Sequence, residues 1–163
     1  DLATGSFQPV LDDPARSPVP REVKRLVLCS GKLYYDLAAA RANGTAAKHA
    51  AVVRVEELYP WPHEEIARII DRYGGIEEVV WAQEEPRNMG AWSFVWPRLR
   101  ASTGNAIPIR YIGRPERASP AEGYHTAHAE QQARIVTEVL APSGAGREAG
   151  AGSGRAKREA GRG

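Results

Sequence analysis

The chain has 163 residues, 42% hydrophobic and 26% charged, which is typical of one globular domain large enough to bury a core. Its net charge of +2 is uneven: residues 141–163 carry four Arg and one Lys against two Glu, a net of +3, which leaves −1 for residues 1–140. The pI therefore gives no reason to expect nucleic-acid binding. A single cysteine excludes a disulfide framework, and no apolar run reaches the ~20 residues that a membrane helix needs. We expect neither nucleic acid nor a membrane among its partners.

Four short apolar runs predict strands over residues 25–29, 50–55, 78–82 and 107–112. The first three contain consecutive apolar residues rather than strict alternation, which is typical of strands covered on both faces. Helical patterns separate the runs, so strand–helix units repeat with right-handed crossovers. The pattern predicts an α/β fold, a three-layer α/β/α sandwich around an open, mostly parallel sheet.

Four helices are predicted in this arrangement. The first covers residues 32–43; the second starts at Pro62 and stops at Gly74, with an apolar stripe at i, i+3, i+4 and i+7 from Ile66. The third covers residues 90–100 and contains Pro97, which we expect to kink or end it. The last covers residues 125–140, behind a capping box at 119–122. Its expected buried side consists of Ala133, Val136, Val139 and Leu140.

Composition divides the chain into three parts. Residues 1–22, rich in Pro and Asp, are predicted to be a linker from an upstream domain, residues 23–140 the folded domain, and residues 141–163 a disordered tail rich in Gly, Ala and Arg. The chain opens with Asp1 and without an initiator Met, so we expect it to be a fragment of a longer protein. Cys29 lies within an apolar run, which favours a buried and inert thiol.

Ser30-Gly31-Lys32 follows a predicted strand and opens a helix, as a phosphate-binding loop does. A phosphate loop needs G-x-x-x-x-G-K-[ST], and here the earlier glycine and the following hydroxyl are missing. We therefore favour a tight turn capped by Ser30, whose helix N-terminus attracts an anion only weakly.

His125 and His128 lie one helical turn apart, with Glu122 upstream. Histidines at this spacing do bind zinc, but a zinc site needs three or four ligands, and a third firm ligand is missing. A packed or solvated helix face is the better interpretation, and we expect no metal site.

Gln83-Glu84-Glu85-Pro86 follows the third predicted strand, where open α/β sheets place functional groups. Acid–base chemistry needs two groups that converge across a cleft, so adjacent carboxylates favour a structural role here. Glu84, Glu85, Asn88, Trp92 and Trp96 are candidate interface residues, and the two tryptophans are either core or subunit interface.

Five arginines surround the third helix and the loop after the last strand. Guanidinium groups suit carboxylate or phosphate recognition, and equally suit pairing with Glu84, Glu85 or Glu116 of another subunit. Both interpretations stay open for these candidate anion or regulatory residues: Arg98, Arg100, Arg110, Arg114 and Arg117.

Four segments resemble one known family, the thiamine-diphosphate-dependent decarboxylating component of 2-oxoglutarate dehydrogenase. They are LCSGKLYYDL (28–37), RVEELYPWP (54–62), WAQEEPRNMGAW (81–92) and YIGRPERASPAEG (111–123). The last resembles the family's Y-x-G-R-P-x-x-A-S-P-A-x-G segment, and His128, Gln131 and Gln132 fall where the family has its following His and Gln residues. The resemblance covers residues 1–140 and implies a transketolase C-terminal-like domain.

The resemblance also implies a function for the longer protein. Members are homodimers in a multienzyme complex of the citric acid cycle. They bind thiamine diphosphate and Mg²⁺, decarboxylate 2-oxoglutarate, and succinylate the lipoyl group of a partner component. The cofactor is held by upstream domains through a G-D-G motif and an activating Glu. No G-D-G occurs in this chain, so no catalytic, cofactor or metal residue is assigned to it.

Three functional hypotheses follow. The first is a structural and dimer-assembly domain of this oxidoreductase, inactive by itself, in the bacterial cytoplasm or the mitochondrial matrix. The second is a regulatory module that binds acetyl-CoA or a nucleotide. The third is the same domain of a 2-oxoadipate dehydrogenase, since specificity would reside in the upstream domains.

Overall fold

One sheet of five strands organises the part of the chain that the structure describes, residues 5–16, 21–43, 47–118 and 125–142 of a computed structural model. The strands lie in the order β1-β3-β2-β4-β5. They are β1 (Val10–Leu11), β2 (Arg25–Cys29), β3 (Ala50–Val55), β4 (Glu78–Pro86) and β5 (Ile109–Arg114). The helices are α1 (Leu33–Ala42), α2 (His63–Arg72), α3 (Trp92–Ser102) and α4 (His125–Leu140), with a 3₁₀ turn at Pro14–Arg16.

The four predicted strands are confirmed and run parallel, with Arg25 opposite both Ala50 and Glu78. The strand β1 was not predicted. It pairs antiparallel with the outer side of β3, with Val10 opposite Val55. Two residues are too short for a strand pattern to show in the sequence. Part of the stretch predicted to be a linker is therefore an edge strand of the sheet.

Two cores form on the two faces of the sheet. One face carries Leu26, Leu28, Val53 and Trp81 against α2 and α3, and the other carries Val27, Cys29, Val52 and Ala82 against α1 and α4. Alternate residues of buried strands point to opposite faces, so each strand feeds both cores. The predicted three-layer sandwich is confirmed. Cys29 is buried as predicted, and burial raises the pKa of its thiol to about 12.

A buried arginine closes the amino end of the sheet. Arg25, the first residue of β2, is fully buried and forms an ion pair with Glu78 at 2.6 Å. Its Nη1 donates to three carbonyls at the end of α4, those of Glu138, Val139 and Ala141, at 2.6–3.0 Å. The last carbonyls of a helix have no partner within it, so this guanidinium acts as the cap of α4.

A second buried ion pair fixes the start of the domain. Asp13 accepts hydrogen bonds from Arg41 of α1 and from the Val52 amide of β3 at 2.9 Å. Burial opposes the charge on Asp13, but these hydrogen bonds outweigh it and hold the pKa of the carboxyl below its ordinary value. Residues 12–16 thus join α1 to β3.

Two details of the helices differ from prediction. α3 continues through Pro97 to Ser102, so Pro97 does not end the helix; its side chain is exposed. In α4, Ile135 is fully buried and Ala133 is exposed, because the helix is rotated relative to the predicted stripe. The predicted burial of Val139 and Leu140 is confirmed. The predicted capping box and the tail from residue 143 lie outside the described residues.

Candidate functional site at the carboxyl edge of the sheet

The carboxyl ends of β2 and β4 form a topological switch point. These neighbouring strands lead into α1 and α3, which cover opposite faces of the sheet. Open α/β sheets bind ligands in the crevice that such a divergence creates. A cleft of about 380 Å³ lies here. It is lined by Ser30, Leu58, Tyr59, Trp81, Gln83, Glu85, Gly90, Ala91 and Phe94.

The turn after β2 does not form a phosphate site. Gly31 adopts φ 62°, a conformation that suits glycine, and α1 begins behind Lys32 without a side-chain cap. The predicted cap by Ser30 is therefore wrong. The Lys32 ammonium lies 2.9 Å from Asp36 of α1 and 3.9 Å from Glu84 of β4, so its charge is paired with carboxylates of the domain.

Gln83 organises the segment between β4 and α3. Its Oε1 accepts from the Trp81 indole at 2.9 Å and from the Trp92 amide at 3.1 Å. Its Nε2 donates to the carbonyl of Met89 at 2.8 Å and reaches those of Glu85 and Pro86. Every hydrogen-bonding atom of this buried amide is used. The segment 83–86, predicted to lie just past the strand, continues β4 to Pro86.

Glycines let the backbone approach Gln83 closely. A Cβ on Gly90, which has φ 65°, would lie 2.9 Å from Gln83 Nε2. A Cβ on Gly113 would lie 2.3 Å from the hydroxyl of Tyr111 and 2.8 Å from the Gln83 carbonyl. Side chains larger than hydrogen do not fit at either position.

Tyr111 and Asn88 join the ends of β4 and β5. The Tyr111 hydroxyl donates to the carbonyls of Glu85 and Arg114, and burial raises the pKa of that hydroxyl to about 12. Asn88 bonds both the amide and the carbonyl of Arg117, at 3.1 and 2.8 Å. The residues of the 81–92 and 111–123 segments therefore hold one another in place across the edge of the sheet.

A polar bridge links the two helices on the opposite face. Gln132 of α4 donates at 2.8 Å to both Asp36 of α1 and Glu84 of β4. Burial opposes the charge on Asp36, yet bonds from Lys32 and Gln132 hold its pKa below the ordinary value. Glu84 therefore connects β4 to α4 within the domain.

The five candidate arginines do not form one cluster. Arg110 pairs with Glu138 near the start of β5, whereas Arg114 contacts Nδ1 of His128 at 2.8 Å at its end. Parallel strands rise ~3.3 Å per residue, so these two positions are about 13 Å apart. Arg98 covers the ring of Phe94 at 3.5 Å.

The other two arginines contact different partners. Arg100 stacks on Trp96 and bonds Asn105, and Arg117 is held through its backbone by Asn88. A single anion site formed by all five is not present in the described structure.

The candidate interface residues lie in different environments, some buried and some exposed. Trp92 is buried against Tyr111 with ring centroids 5.3 Å apart, so it belongs to the core, whereas Trp96 is partly exposed. An exposed apolar patch around both tryptophans is therefore absent from the described surface. Glu85 is exposed at the rim of the cleft, and Asn88 serves the loop contact above. The side chain of His125 lies outside the described residues.

The described residues contain no group of three or more His, Cys, Asp or Glu side chains placed to hold a metal ion. No helix in the described part of the chain is long and apolar enough to cross a membrane. Within the same residues, the cleft offers amide and aromatic groups and one carboxylate, and no second carboxylate, histidine or lysine lines it. This chemistry suits binding rather than proton transfer.

Three residues that shape the molecule were missed. The role of Gln83 is visible in sequence only as a polar residue after an apolar run, and Arg25 begins a strand without any signal that it caps α4. Arg87 lies over the rings of Trp92 and Tyr111 at 5.9 and 5.6 Å. The cap by Arg25 and the contact of Arg87 with Tyr111 join residues that are distant in sequence, whereas the partners of Gln83 lie within nine residues of it and depend on how the 81–92 segment folds.

The model of the family "2-oxoglutarate dehydrogenase C-terminal" matches residues 1–140. This chain belongs to that family. It is 48% identical over 146 residues to the 2-oxoglutarate dehydrogenase E1 component of Exiguobacterium sp., a match that covers 86% of this chain and 15% of the relative. The E1 component of Shouchella clausii is 47% identical over 137 residues, covering 83% of this chain and 14% of the relative. The chain therefore spans about a seventh of the length of these relatives.

A solved structure supports the fold of the family member described here. The structure titled "Split gene transketolase, inactive beta4 tetramer" matches with a TM-score of 0.57 at 17% identity. The match covers 83% of this chain and 43% of that chain. The predicted transketolase-like architecture and the predicted family are both confirmed.

Proposed function

We propose that this chain is the C-terminal structural and assembly domain of a 2-oxoglutarate dehydrogenase E1 component, and that it contributes no catalytic residue. The observation that carries the proposal is what the residues of the family segments contact. Gln83, Asn88, Tyr111 and the flanking glycines bind one another and the backbone rather than converging on a substrate. Relatives 47–48% identical are E1 components along the matched region.

The catalytic chemistry belongs, on this proposal, to the part of the longer enzyme that precedes the domain. That enzyme decarboxylates 2-oxoglutarate with thiamine diphosphate and Mg²⁺ and passes the succinyl group to a lipoyl-bearing component, as a step of the citric acid cycle. The described residues do not fit this cofactor, because they offer no carboxylate cluster for the metal. Its proposed partners are the upstream domains, a second subunit and the lipoyl-bearing component. The bacterial relatives support a cytoplasmic location.

A domain exchange tests the proposal. The segment of the Exiguobacterium enzyme that matches this chain is replaced by residues 1–140, and 2-oxoglutarate decarboxylation is measured with thiamine diphosphate and Mg²⁺. We expect turnover by the chimera and none by the isolated chain. Turnover by the isolated chain, or a folded chimera that is inactive beside an active parent enzyme, would contradict the proposal.

A further inference from the structure

Exposed aromatic residues concentrate at one edge of the sheet. Four large hydrophobic side chains are exposed in the described structure: Phe7 (69%), Tyr35 (60%), Tyr59 (81%) and Trp96 (40%). The first three lie at the carboxyl edge. Scattered exposed apolar residues are ordinary, but several on one edge beside an apolar cleft are typical of an interaction surface.

The positions of these three residues follow from their neighbours. Tyr59 lines the switch-point cleft, and the Tyr35 hydroxyl accepts from Arg54 near the end of β3 at 2.9 Å. Phe7 precedes β1, which runs antiparallel to β3, and the Pro9 carbonyl accepts from the amides of Glu56 and Glu57. All three therefore lie near the carboxyl ends of β2 and β3.

The cleft beside them has apolar walls and an acidic rim. Leu58, Phe94 and Trp81 form walls, and Glu85 is exposed at the mouth with its carboxylate close to Gly90. No ion pair to Glu85 occurs among the described residues. A cation brought to this carboxylate would be bound at the edge of an apolar surface, where charge pairs gain strength.

The floor of the cleft is rigid before any partner arrives. Gln83 uses all its hydrogen-bonding atoms on the backbone and on Trp81, and Gly90 packs directly against it. A preformed surface loses little side-chain entropy on binding, which favours a permanent interface.

We propose that this surface, made of Phe7, Tyr35, Tyr59 and the switch-point cleft, docks against the upstream part of the E1 polypeptide. The docking segment is apolar and presents a basic residue to Glu85. This inference rests on the proposed function. It is supported by the relatives' length, because about six-sevenths of each lies outside the match and supplies polypeptide to cover this surface. Residues 143–163 contain no large apolar side chain to fill the cleft.

Hydrogen exchange in the chimera tests the docking surface separately from catalysis. Backbone exchange is compared between the isolated chain and the chimera, by mass spectrometry of peptides covering residues 30–36, 56–60 and 83–90. We expect exchange in these peptides to be at least about tenfold slower in the chimera, and exchange around residues 72–77 at the amino edge to be unchanged. Protection only at the amino edge, or nowhere, would overturn the inference.

Two variants and a control identify the contacts. Tyr59→Ser and Glu85→Lys in the chimera should each remove most of the protection at 56–60 and 83–90, a loss of about tenfold. Glu77→Lys reverses an exposed charge at the opposite edge and should change nothing. Protection that survives both variants overturns the inference. So does protection that disappears when the chimera is diluted to monomers, because the occupant is then a second copy.

The two proposals fail in different ways. An inactive chimera with a protected carboxyl edge contradicts the proposed function and leaves the docking contacts observed. An active chimera whose carboxyl edge exchanges like that of the isolated chain sustains the proposed function and rejects the docking surface.

Discussion

The two ends of the sheet use polar residues for opposite purposes. At the amino end, Arg25 and Glu78 are directed inward, and the guanidinium is fully buried against the end of α4. At the carboxyl end, Gln83 and Tyr111 support a surface on which Tyr59 and Glu85 remain exposed. Hydrogen-bond networks can thus close one edge of a domain and support another edge that stays open for binding. The following changes test this division, from the largest expected effect to the smallest.

Replacing the buried arginine should cause the greatest loss. Arg25→Met leaves the Glu78 carboxylate without its partner and three α4 carbonyls without a donor, so we expect the free energy of unfolding to fall by about 3–5 kcal/mol. Urea denaturation followed by tryptophan fluorescence measures it. Lys24→Met removes a solvent-exposed pair with Glu77 and should cost less than about 1 kcal/mol. Equal losses in the two variants would show that the amino end is not closed by this network.

Neutralising Asp13 should cost about 1.5–3 kcal/mol at pH 7, because its carboxylate accepts charge-assisted bonds from Arg41. Its pKa in the folded protein is below that in the unfolded chain, so the stabilisation is complete above pH ~4 and is lost as the pH falls through the folded value. The stability difference between wild type and Asp13→Asn should therefore shrink in acid. Asp71→Asn, on an exposed turn of α2, is the control. A stability difference between wild type and Asp13→Asn that is constant from pH 7 to pH 2 would contradict this ion pair.

Adding one methyl group at the carboxyl edge, where β4 meets β5, should lower the free energy of unfolding. Gly113→Ala places a Cβ against the Tyr111 hydroxyl and the Gln83 carbonyl, and overpacking of this kind costs about 1–3 kcal/mol. Gly75→Ala is matched to it, because nothing lies within 4 Å of its added Cβ, and should change stability by less than about 0.5 kcal/mol. Thermal unfolding compares the two. If both substitutions are tolerated alike, the β4–β5 junction is looser than the contacts imply.

The smallest effect is expected at the most exposed aromatic residue. Tyr59→Ser in the isolated chain should leave the free energy of unfolding within about 0.5 kcal/mol of wild type, because the side chain is 81% exposed. Urea denaturation of the isolated chain measures it. A loss above about 1 kcal/mol would mean that Tyr59 belongs to the core, which would remove it from the docking surface.

Local sequence patterns predicted the fold, whereas they did not predict the arrangement of the site. β2 and β3 were predicted with the bounds observed, because consecutive apolar residues in a buried strand leave a clear signal. The stripe from Ile66 in α2 was equally plain. The rotation of α4 toward Ile135 was missed, since alanine and isoleucine both fit an apolar stripe and packing selects between them.

The arrangement of the site required the structure. The five arginines are close in sequence but lie along α3, β5 and the segment after β5, so a cluster in sequence did not become a cluster in space. Trp92 and Trp96 are one turn apart, yet only Trp92 reaches the core. The candidates Glu84 and Asn88 bind within the domain, and the role of Arg25 depends on partners up to 116 residues away. The partners of Gln83 are within nine residues of it, but no periodic pattern marks them.

The cap that Arg25 places on α4 also fixes the position of Ala141, the residue after the helix. Ala141 is held by Arg25 and by His49 Nε2 at 2.9 Å, beside the first residues of β2 and β3. A fluorophore, affinity tag or surface tether joined after Pro142 would consequently emerge on the far side from Tyr59. Such a handle would immobilise the domain with its binding edge directed away from the support.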